Sequence, residues 1–314
     1  MRTAERTGPV PAAVGRVMMQ AIVQRRYGTA PEDVLRLEQI PRPAIKAGEV
    51  LVRVRAAGVD RGTWHLMTGQ PYLMRIIGFG LRGPKTPVPG WAVPANRLAA
   101  KPAGLTFEQA AALPGSAATA LQALRDHAHL RPGQHVLVIG ASGGVGTFAV
   151  QLAKAFGAEV TGVSSTAKAD LVRAVGADHI LDYTREDPVA GSQRYDVIID
   201  IGGNRRLAHL RRALAPRGTL VITGGEDGGR WLGGIGRNLR ARLLSPFVRQ
   251  KLTAFVTRQR PADLVTLRDL AGSGAIIPAI DRIYPLGQAA AAVRHLAEGR
   301  ARGKVVISCE DRGN

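Results

Sequence analysis

Short apolar runs alternate with segments of helical periodicity through the middle of the chain. The apolar runs predict strands at His135–Ile139, Glu159–Val163, His179–Leu181, Val197–Asp200 and Thr219–Ile222. The segments between them predict helices at Thr147–Phe156, Ala167–Val175 and Leu207–Leu214. Near-continuous apolar strands separated by helices indicate a parallel sheet covered on both faces.

The pattern differs on either side of this central part. From Gln20 to Val59, short alternating segments broken by Gly and Pro predict antiparallel strands, at Ala21–Val23, Leu35–Leu37 and Val50–Val54. Thr106 is placed to cap an Ala-rich helix, and Ala117–His127 continues in helical style. After Pro261 the pattern predicts two helices, Ala262–Gly272 and Leu286–Glu298, and two strands, Ile276–Ile280 and Val305–Ile307.

Composition indicates a globular protein, since 45% of the residues are hydrophobic and 21% are charged. The length of 314 residues allows two domains. The single cysteine, Cys309, excludes an intrachain disulfide and a zinc site built from cysteines. No apolar run is long enough to span a bilayer, and residues 1–17 lack the apolar core of a secretory signal. We therefore expect a cytoplasmic protein with no membrane partner.

The net charge is +19, and most of the positive charge is arginine. A basic surface attracts nucleic acid, with an affinity that falls steeply with salt. The arginine-rich segments lack the aromatic residues that would stack on bases, so we expect solvated basic helix faces and no nucleic-acid partner.

A glycine-rich bend joins the first central strand to its helix. Gly140 to Gly146 reads Gly-Ala-Ser-Gly-Gly-Val-Gly, so Ala141 stands where the G-x-G-x-x-G fingerprint has its first glycine. Gly143 would let the backbone approach a pyrophosphate, and Gly146 would let the helix pack closely on the strand. The helix N-terminus supplies free N–H groups and partial positive charge. The bend therefore predicts dinucleotide binding, with a tight turn of purely structural use as the alternative.

The end of the second central strand bears on which dinucleotide is bound. An acidic side chain there would hold the ribose 2′-hydroxyl of NAD, but the sequence from Val163 to Lys168 has no carboxylate. Its hydroxyls and Lys168 suit a 2′-phosphate, which favours NADPH. An ordinary exposed helix lysine is the alternative for Lys168.

Several segments together resemble the zinc-independent medium-chain dehydrogenase/reductases, in the quinone oxidoreductase-like and enoyl-reductase-like branch. Besides the glycine-rich bend, the matching segments are Ala56–Asp60 with Trp64, Pro84–Gly90, Lys101–Glu108, Gly176–Asp178, Leu181–Tyr183 and Gly303–Val306.

The resemblance implies a Rossmann doubly wound sheet with a second, GroES-like β domain that the C-terminal segment rejoins. We expect a disordered arm over residues 1–17, a shortened GroES-like domain over 18–114, a Rossmann domain over 115–260 and a returning segment over 261–314. The resemblance also implies a homodimer, in which the edge strands of the two central sheets pair with each other.

The resemblance also implies the residues of the cofactor site. The bend would contribute Ala141, Gly143, Gly144, Val145 and Gly146, and the ends of the next strands Gly202, Gly203, Gly224 and Gly225. Thr119 would lie near the nicotinamide, and Ser164, Ser165, Lys168 and Tyr183 around the 2′-phosphate. Thr119 satisfying its own helix and Tyr183 as a half-buried strand residue are the alternatives.

The reaction implied is hydride transfer from NADPH to a quinone or an α,β-unsaturated carbonyl, without a metal. The cysteine that holds zinc in other relatives is missing from Gly58–Trp64. The candidate catalytic residues are Asp60, where the family often has Asn, His65 as a proton donor, and Tyr72. For His65, a satisfied polar residue at the edge of the cleft is the alternative.

The chain departs from the family pattern after Gly90, where Trp91 replaces several expected strands. Either the first domain is a reduced sheet, stabilised by the C-terminal segment and by a partner subunit, or the chain keeps NADPH binding but has lost much of its substrate cleft. In the second case it would be a catalytically impaired NADPH-binding redox sensor or interaction protein. Segment Trp231–Val256 is alternately apolar and basic. It would serve as a lid, a dimer contact or a membrane-surface helix, and the family resemblance favours a lid together with a dimer contact.

Overall fold

The structure is a computed structural model that describes residues 17–86, 92–94, 97–203, 205–224 and 229–310. The expected N-terminal arm therefore lies outside the described residues, apart from Val17. The junction at Gly90 and Trp91, on which the apparent deletion rests, lies outside them too.

A six-stranded parallel sheet forms the centre of the molecule. Its strands are β6 (His135–Ile139), β7 (Glu159–Ser164), β8 (His179–Asp182), β9 (Tyr195–Asp200), β10 (Leu214–Ile222) and β11 (Lys251–Ala254). They lie in the order β11-β10-β9-β6-β7-β8. From β6 the strand order runs outward to β7 and β8 on one side, and from β9 to β10 and β11 on the other. The carboxyl ends of β6 and β9 therefore flank the crevice where such sheets bind ligands.

Helices cover both faces of this sheet, as the sequence predicts. They are α4 (Ser116–Leu121), α5 (Gly144–Ala155), α6 (Ala169–Ala174), α7 (Leu207–Ala213), α9 (Ile235–Leu244) and α10 (Pro261–Gly272). The short helix α8 (Gly229–Leu232) precedes α9 and has no buried residue. Neighbouring residues of β9 point to opposite faces. Ile199 packs in the core that contains Phe148 of α5, while Ile198 packs in the core that contains Leu210 of α7.

The first part of the chain forms smaller sheets. Strands β1 (Met18–Gln24) and β2 (Leu35–Pro41) pair antiparallel, and β3 (Glu49–Leu51) pairs with β5 (Ala92–Pro94). Three short helices accompany them: α1 (Pro31–Val34), α2 (Arg61–Thr68) and α3 (Phe107–Ala112).

The C-terminal segment returns to this first part. Strand β13 (Lys304–Ser308) lies between β4 (Ala56–Val59), to which it is antiparallel, and β12 (Ile280–Pro285), to which it is parallel. Helix α11 (Ala289–Ala297) packs with β4 and β13 around a small core that includes Val59, Met67 and Val305. The domain limits given above stay a prediction.

The predicted strand at Ile276–Ile280 is wrong. Residues 276–279 form a loop, and only Ile280 belongs to a strand, which continues to Pro285. The side-chain amide of Gln151 accepts from the Ile277 N–H at 2.7 Å and donates to its carbonyl at 3.0 Å. A helix side chain therefore satisfies the backbone of an apolar segment that a neighbouring strand would otherwise pair.

Candidate functional site

The glycine-rich bend passes from β6 into α5, and its backbone requires glycine at two positions but not at a third. Gly140 has a φ of +88°, a backbone conformation that favours glycine. A Cβ at Gly146 would lie 2.1 Å from the carbonyl oxygen of Gly140, so any side chain there would force helix and strand apart. Gly143 has an ordinary φ of −85°, and a Cβ there would lie 3.5 Å from the same oxygen, its nearest neighbour.

The N-terminus of α5 is open to a ligand. No side chain caps it, and the first helical hydrogen bond runs from the Thr147 N–H to the Gly143 carbonyl. The N–H groups of Gly144, Val145 and Gly146 therefore precede the helical hydrogen-bond pattern. Residues 143–145 are partly exposed, whereas Ala141 is completely buried. Uncapped N–H groups at the positive end of a helix dipole fit the diphosphate of a dinucleotide.

Two further glycine turns follow β9 and β10 at the same edge of the sheet. Gly203 has a φ of +78°, and its N–H donates to the buried carboxylate of Asp200 at 3.2 Å. A Cβ on Gly224 would lie 1.8 Å from the Ile201 carbonyl oxygen. Gly202 lies against Gly140, with its nitrogen 3.4 Å from a Cβ placed there. These turns bring Gly202, Gly203 and Gly224 to the edge where the bend lies, while Gly225 falls outside the described residues.

The residues expected at the adenosine end are only partly free to bind a phosphate. Ser164 is buried and its hydroxyl donates to the Ser165 carbonyl at 3.2 Å, while Ser165 is partly exposed. The Lys168 ammonium donates to the carbonyls of Gly299 and Ala301 at 2.7 and 2.9 Å, just beyond α11. Burial lowers the pKa of Lys168. This conformation therefore commits Lys168 to fixing the end of α11.

A carboxylate that sequence reasoning missed also lies at this end. Asp182 ends β8 next to β7, and its side chain accepts hydrogen bonds from the hydroxyls of Thr166 and Thr184, which hold its pKa at about 2. Tyr183 follows it and is 54% exposed, with its N–H donating to the Ser164 carbonyl. The missed signal was spatial, since Asp182 is distant from Ser164 in sequence but opposite it in the sheet register.

At the other end of the crevice, Asp60 and Thr119 both lie next to Gly115. Asp60 caps α2 by accepting from the Thr63 N–H at 3.2 Å, and a Cβ on Gly115 would lie 2.8 Å from its other carboxylate oxygen. The Thr119 hydroxyl bonds to the Gly115 carbonyl at 2.9 Å and to the Thr257 hydroxyl at 2.6 Å. Thr119 thus does satisfy its own helix, while also joining α4 to the segment after β11.

The other two candidate catalytic residues lie in the segment around α2. His65 Nδ1 is 2.9 Å from the Gln70 carbonyl oxygen. The Tyr72 ring packs edge-on against the Trp231 ring, with 5.4 Å between the ring centroids. The backbone N–H of Tyr72 donates to the Arg230 carbonyl. These contacts tie the first part of the chain to α8.

Lys304 is a buried cation that sequence reasoning did not assign to the site. Its ammonium donates to the Val59 carbonyl at 3.2 Å and to the Ser116 hydroxyl at 3.1 Å. Burial lowers its pKa, against the attraction of Asp60, which raises it. The available signal was a lone lysine at the start of an apolar strand.

Lys304 joins the first part of the chain to the glycine-rich bend. A Cβ on Gly144 would lie 2.8 Å from Lys304 Cδ, and the Gly303 N–H donates to the Ser142 carbonyl at 2.9 Å. The returning C-terminal segment therefore packs against the bend and holds it in place.

The described residues show neither a metal cluster nor a membrane-spanning helix. No group of three or more His, Cys, Asp or Glu side chains among them is placed to hold a metal ion. No helix within the described ranges is long and apolar enough to cross a bilayer.

The doubly wound sheet and its glycine-rich bend define a dehydrogenase-type dinucleotide fold. A family model described as zinc-binding dehydrogenase matches residues 175–307. The match covers less than half of the chain, which is similar there to the medium-chain dehydrogenase/reductases.

Individual relatives agree with this assignment. The chain is 33% identical over 236 residues to the mouse (Mus musculus) protein NAD(P)H oxidoreductase RTN4IP1, mitochondrial, a match that covers 69% of this chain and 59% of the relative. It is 25% identical over 332 residues to the chloroplast envelope quinone oxidoreductase homolog of Arabidopsis thaliana, covering 92% of this chain and 98% of the relative.

A solved structure shares the fold. The quinone oxidoreductase from Coxiella burnetii superposes with a TM-score of 0.76 at 24% identity, covering 94% of this chain and all of that one. The chain spans only about three fifths of the length of the mouse relative.

Proposed function

We propose that this chain is an NADPH-dependent oxidoreductase that transfers hydride to a quinone or an α,β-unsaturated carbonyl without a metal. The observation that carries the proposal is the uncapped N-terminus of α5 behind the close-packed bend of Gly140 and Gly146. Relatives described as NAD(P)H oxidoreductase and quinone oxidoreductase homolog support the reaction class.

The residues of the chain would bind and orient the cofactor. The N–H groups of Gly144, Val145 and Gly146 would hold the diphosphate, with Gly143 leaving room for it and Ala141 buried behind. Gly202, Gly203 and Gly224 would leave the crevice open beyond it, and Thr119 would lie beside the nicotinamide. Gly225, outside the described residues, stays a predicted contact. When bound, the cofactor supplies the hydride.

Reduction of a quinone or an enone also consumes a proton. Tyr72 and His65 are the proposed donors on the side of α2, because a phenol and an imidazole can both transfer a proton to a developing oxyanion or carbanion. Asp60 would act on these steps through its charge and through the helix that it caps.

The preference for NADPH over NADH rests on Ser164, Ser165, Lys168 and Tyr183. Ser165 is the proposed principal contact to the 2′-phosphate, since it is partly exposed and the Lys168 ammonium already has two carbonyl partners. The low pKa of Asp182 keeps its carboxylate ionised, and this negative charge opposes the preference for a phosphate.

Steady-state oxidation of NADPH and NADH with 1,2-naphthoquinone tests the proposal. We expect turnover with NADPH. Removing the proton donor, by Tyr72→Phe or by His65→Gln, should lower kcat by about a hundredfold or more. Ser165→Ala should raise KM about fivefold for NADPH but not for NADH. Absence of turnover with either nucleotide would remove the enzyme assignment.

A catalytically silent NADPH-binding protein is the second candidate. The exposed apolar side chains of the first part, Ile76 at 65% and Leu81 at 70%, favour it because uncovered apolar surface is typical of a site for a protein partner. Tight NADPH binding without turnover would select this candidate. The shortened GroES-like domain, the homodimer and the cytoplasmic location stay proposals beside either one.

A further inference from the structure

Large apolar side chains are exposed along α8, α9 and the turn that follows. They are Trp231 at 69%, Leu232 at 49%, Leu239 at 56%, Leu243 at 63% and Phe247 at 84% exposure. Leu239 and Leu243 are four residues apart and therefore share one face of α9, while Ala241 on the opposite face is completely buried against the sheet. The outer face of α9 is thus an apolar stripe, in place of the polar face that a surface helix normally presents.

Arginines border this stripe on both sides. At about 100° per residue, Arg240 and Arg242 lie roughly a quarter turn to either side of Leu239 and Leu243, and both are exposed. The sequence from 229 to 260 contains eight arginines and lysines and no aspartate or glutamate. Arg237 and Arg260 are paired with Asp200 and Asp126 of other elements, which leaves Arg240 and Arg242 beside the stripe.

The combination of charge and apolar surface restricts what can cover α9. A second copy of the chain meeting this face across a two-fold axis would place arginines opposite arginines, with no carboxylate in the segment to neutralise them. A nucleic acid would neutralise the arginines but has no apolar phase for Leu243 and Phe247. An anionic lipid surface accepts both, since the side chains enter the acyl boundary while the guanidinium groups meet the headgroups.

We propose that the face formed by Leu239, Arg240, Arg242, Leu243 and Phe247 docks this protein on an anionic lipid bilayer. The contact lies in the plane of the interface and needs no spanning helix. It replaces the expectation from sequence that the protein has no membrane partner. The docking does not depend on the proposed reductase activity, and it leaves the open edge of β11 for a partner subunit.

Co-sedimentation with lipid vesicles tests the docking. We expect the purified full chain to bind vesicles of mixed phosphatidylglycerol and phosphatidylcholine, and to bind pure phosphatidylcholine at least tenfold more weakly. Arg240→Gln/Arg242→Gln should weaken binding to the mixed vesicles roughly 25-fold, at about fivefold for each arginine. Leu243→Ser/Phe247→Ser should weaken it by about tenfold or more.

Matched variants elsewhere on the surface show whether vesicle binding depends on this face or only on the net positive charge of the protein. Arg131→Gln/Arg173→Gln removes the same charge from exposed positions elsewhere, and Ile277→Ser removes an exposed apolar side chain. Both should bind vesicles as the wild type does. An equal loss in the matched and the α9 variants would overturn the proposal, as would wild type that fails to bind anionic vesicles at low salt.

Sedimentation velocity distinguishes lipid docking from self-association through α9. We expect Leu243→Ser/Phe247→Ser to keep the sedimentation coefficient and the thermal midpoint of the wild type. Conversion of a wild-type dimer to a monomer by this variant would show that α9 is a subunit contact and would overturn the proposal.

Discussion

At the residue scale, the site depends on a few positions where a side chain is either forbidden or buried at a cost. Gly146 is forbidden any Cβ by the Gly140 carbonyl, and the sequence motif alone is enough to predict this close approach. Lys304 cannot be assigned in the same way, because its partners Val59 and Ser116 are distant in the sequence. Likewise, the sequence around Lys168 predicts a phosphate contact, but it does not contain the carbonyls after α11 that the ammonium binds.

The buried ammonium of Lys304 predicts a specific pH dependence of stability. Burial lowers its folded pKa below the unfolded value of about 10.4, so the unfolded state binds more protons between those two values. As pH rises through that window, the free energy of unfolding of the wild type should therefore increase relative to that of Lys304→Met. The increase should be on the order of 1.4 kcal/mol for each unit by which burial lowers the pKa of Lys304. Urea unfolding of both proteins at a series of alkaline pH values measures it, and parallel curves would contradict it.

At the element scale, local signals locate most helices and strands but not the ends of all of them. The predicted cap at Thr106 is confirmed, since its hydroxyl accepts from the Gln109 N–H and the Gln109 side chain accepts from the Thr106 N–H. The predicted strand at Ile276–Ile280 is wrong because the backbone of Ile277 is paired by Gln151 of α5, a contact that no local pattern contains.

The contribution of the capping box of α3 to stability can be measured. Thr106→Ala removes one of the two reciprocal hydrogen bonds and should lower the free energy of unfolding by about 1 kcal/mol. Thr106→Ser keeps the hydroxyl and should stay close to the wild type. Chemical denaturation of the three proteins tests this, and equal stability of Thr106→Ala and wild type would mean that the cap contributes nothing to the fold.

At the scale of the whole molecule, the parallel sheet and its two cores are predictable from the sequence, whereas the organisation of the first part is not. Continuous apolar strands fix the position of β6 and β9 whatever surrounds them. The pairing of β13 with β4, by contrast, joins residues at opposite ends of the chain. The resemblance to a family implies it, and no periodicity does.

This contrast predicts uneven protection of the backbone. Strands β6 and β9 lie in the middle of the sheet between two buried cores, so their amides should exchange only on global unfolding. The three-residue strands β3 and β5 pair only with each other among the described residues and should exchange much faster. Hydrogen exchange followed by mass spectrometry measures both. Protection of residues 49–51 equal to that of 135–139 would argue against a reduced first domain.

Nucleotide titration of two alanine variants tests whether the glycine-rich bend binds the diphosphate of NADPH. Gly143→Ala meets no atom closer than 3.5 Å and should fold as the wild type does, while its methyl group occupies the approach of the diphosphate and weakens NADPH binding by roughly tenfold or more. Gly146→Ala collides with the Gly140 carbonyl and should lose stability as well as binding. The measurement is NADPH fluorescence, with the thermal midpoint of each protein alongside. Wild type that does not bind NADPH, or a Gly143→Ala variant that binds it as tightly as wild type, would contradict the account.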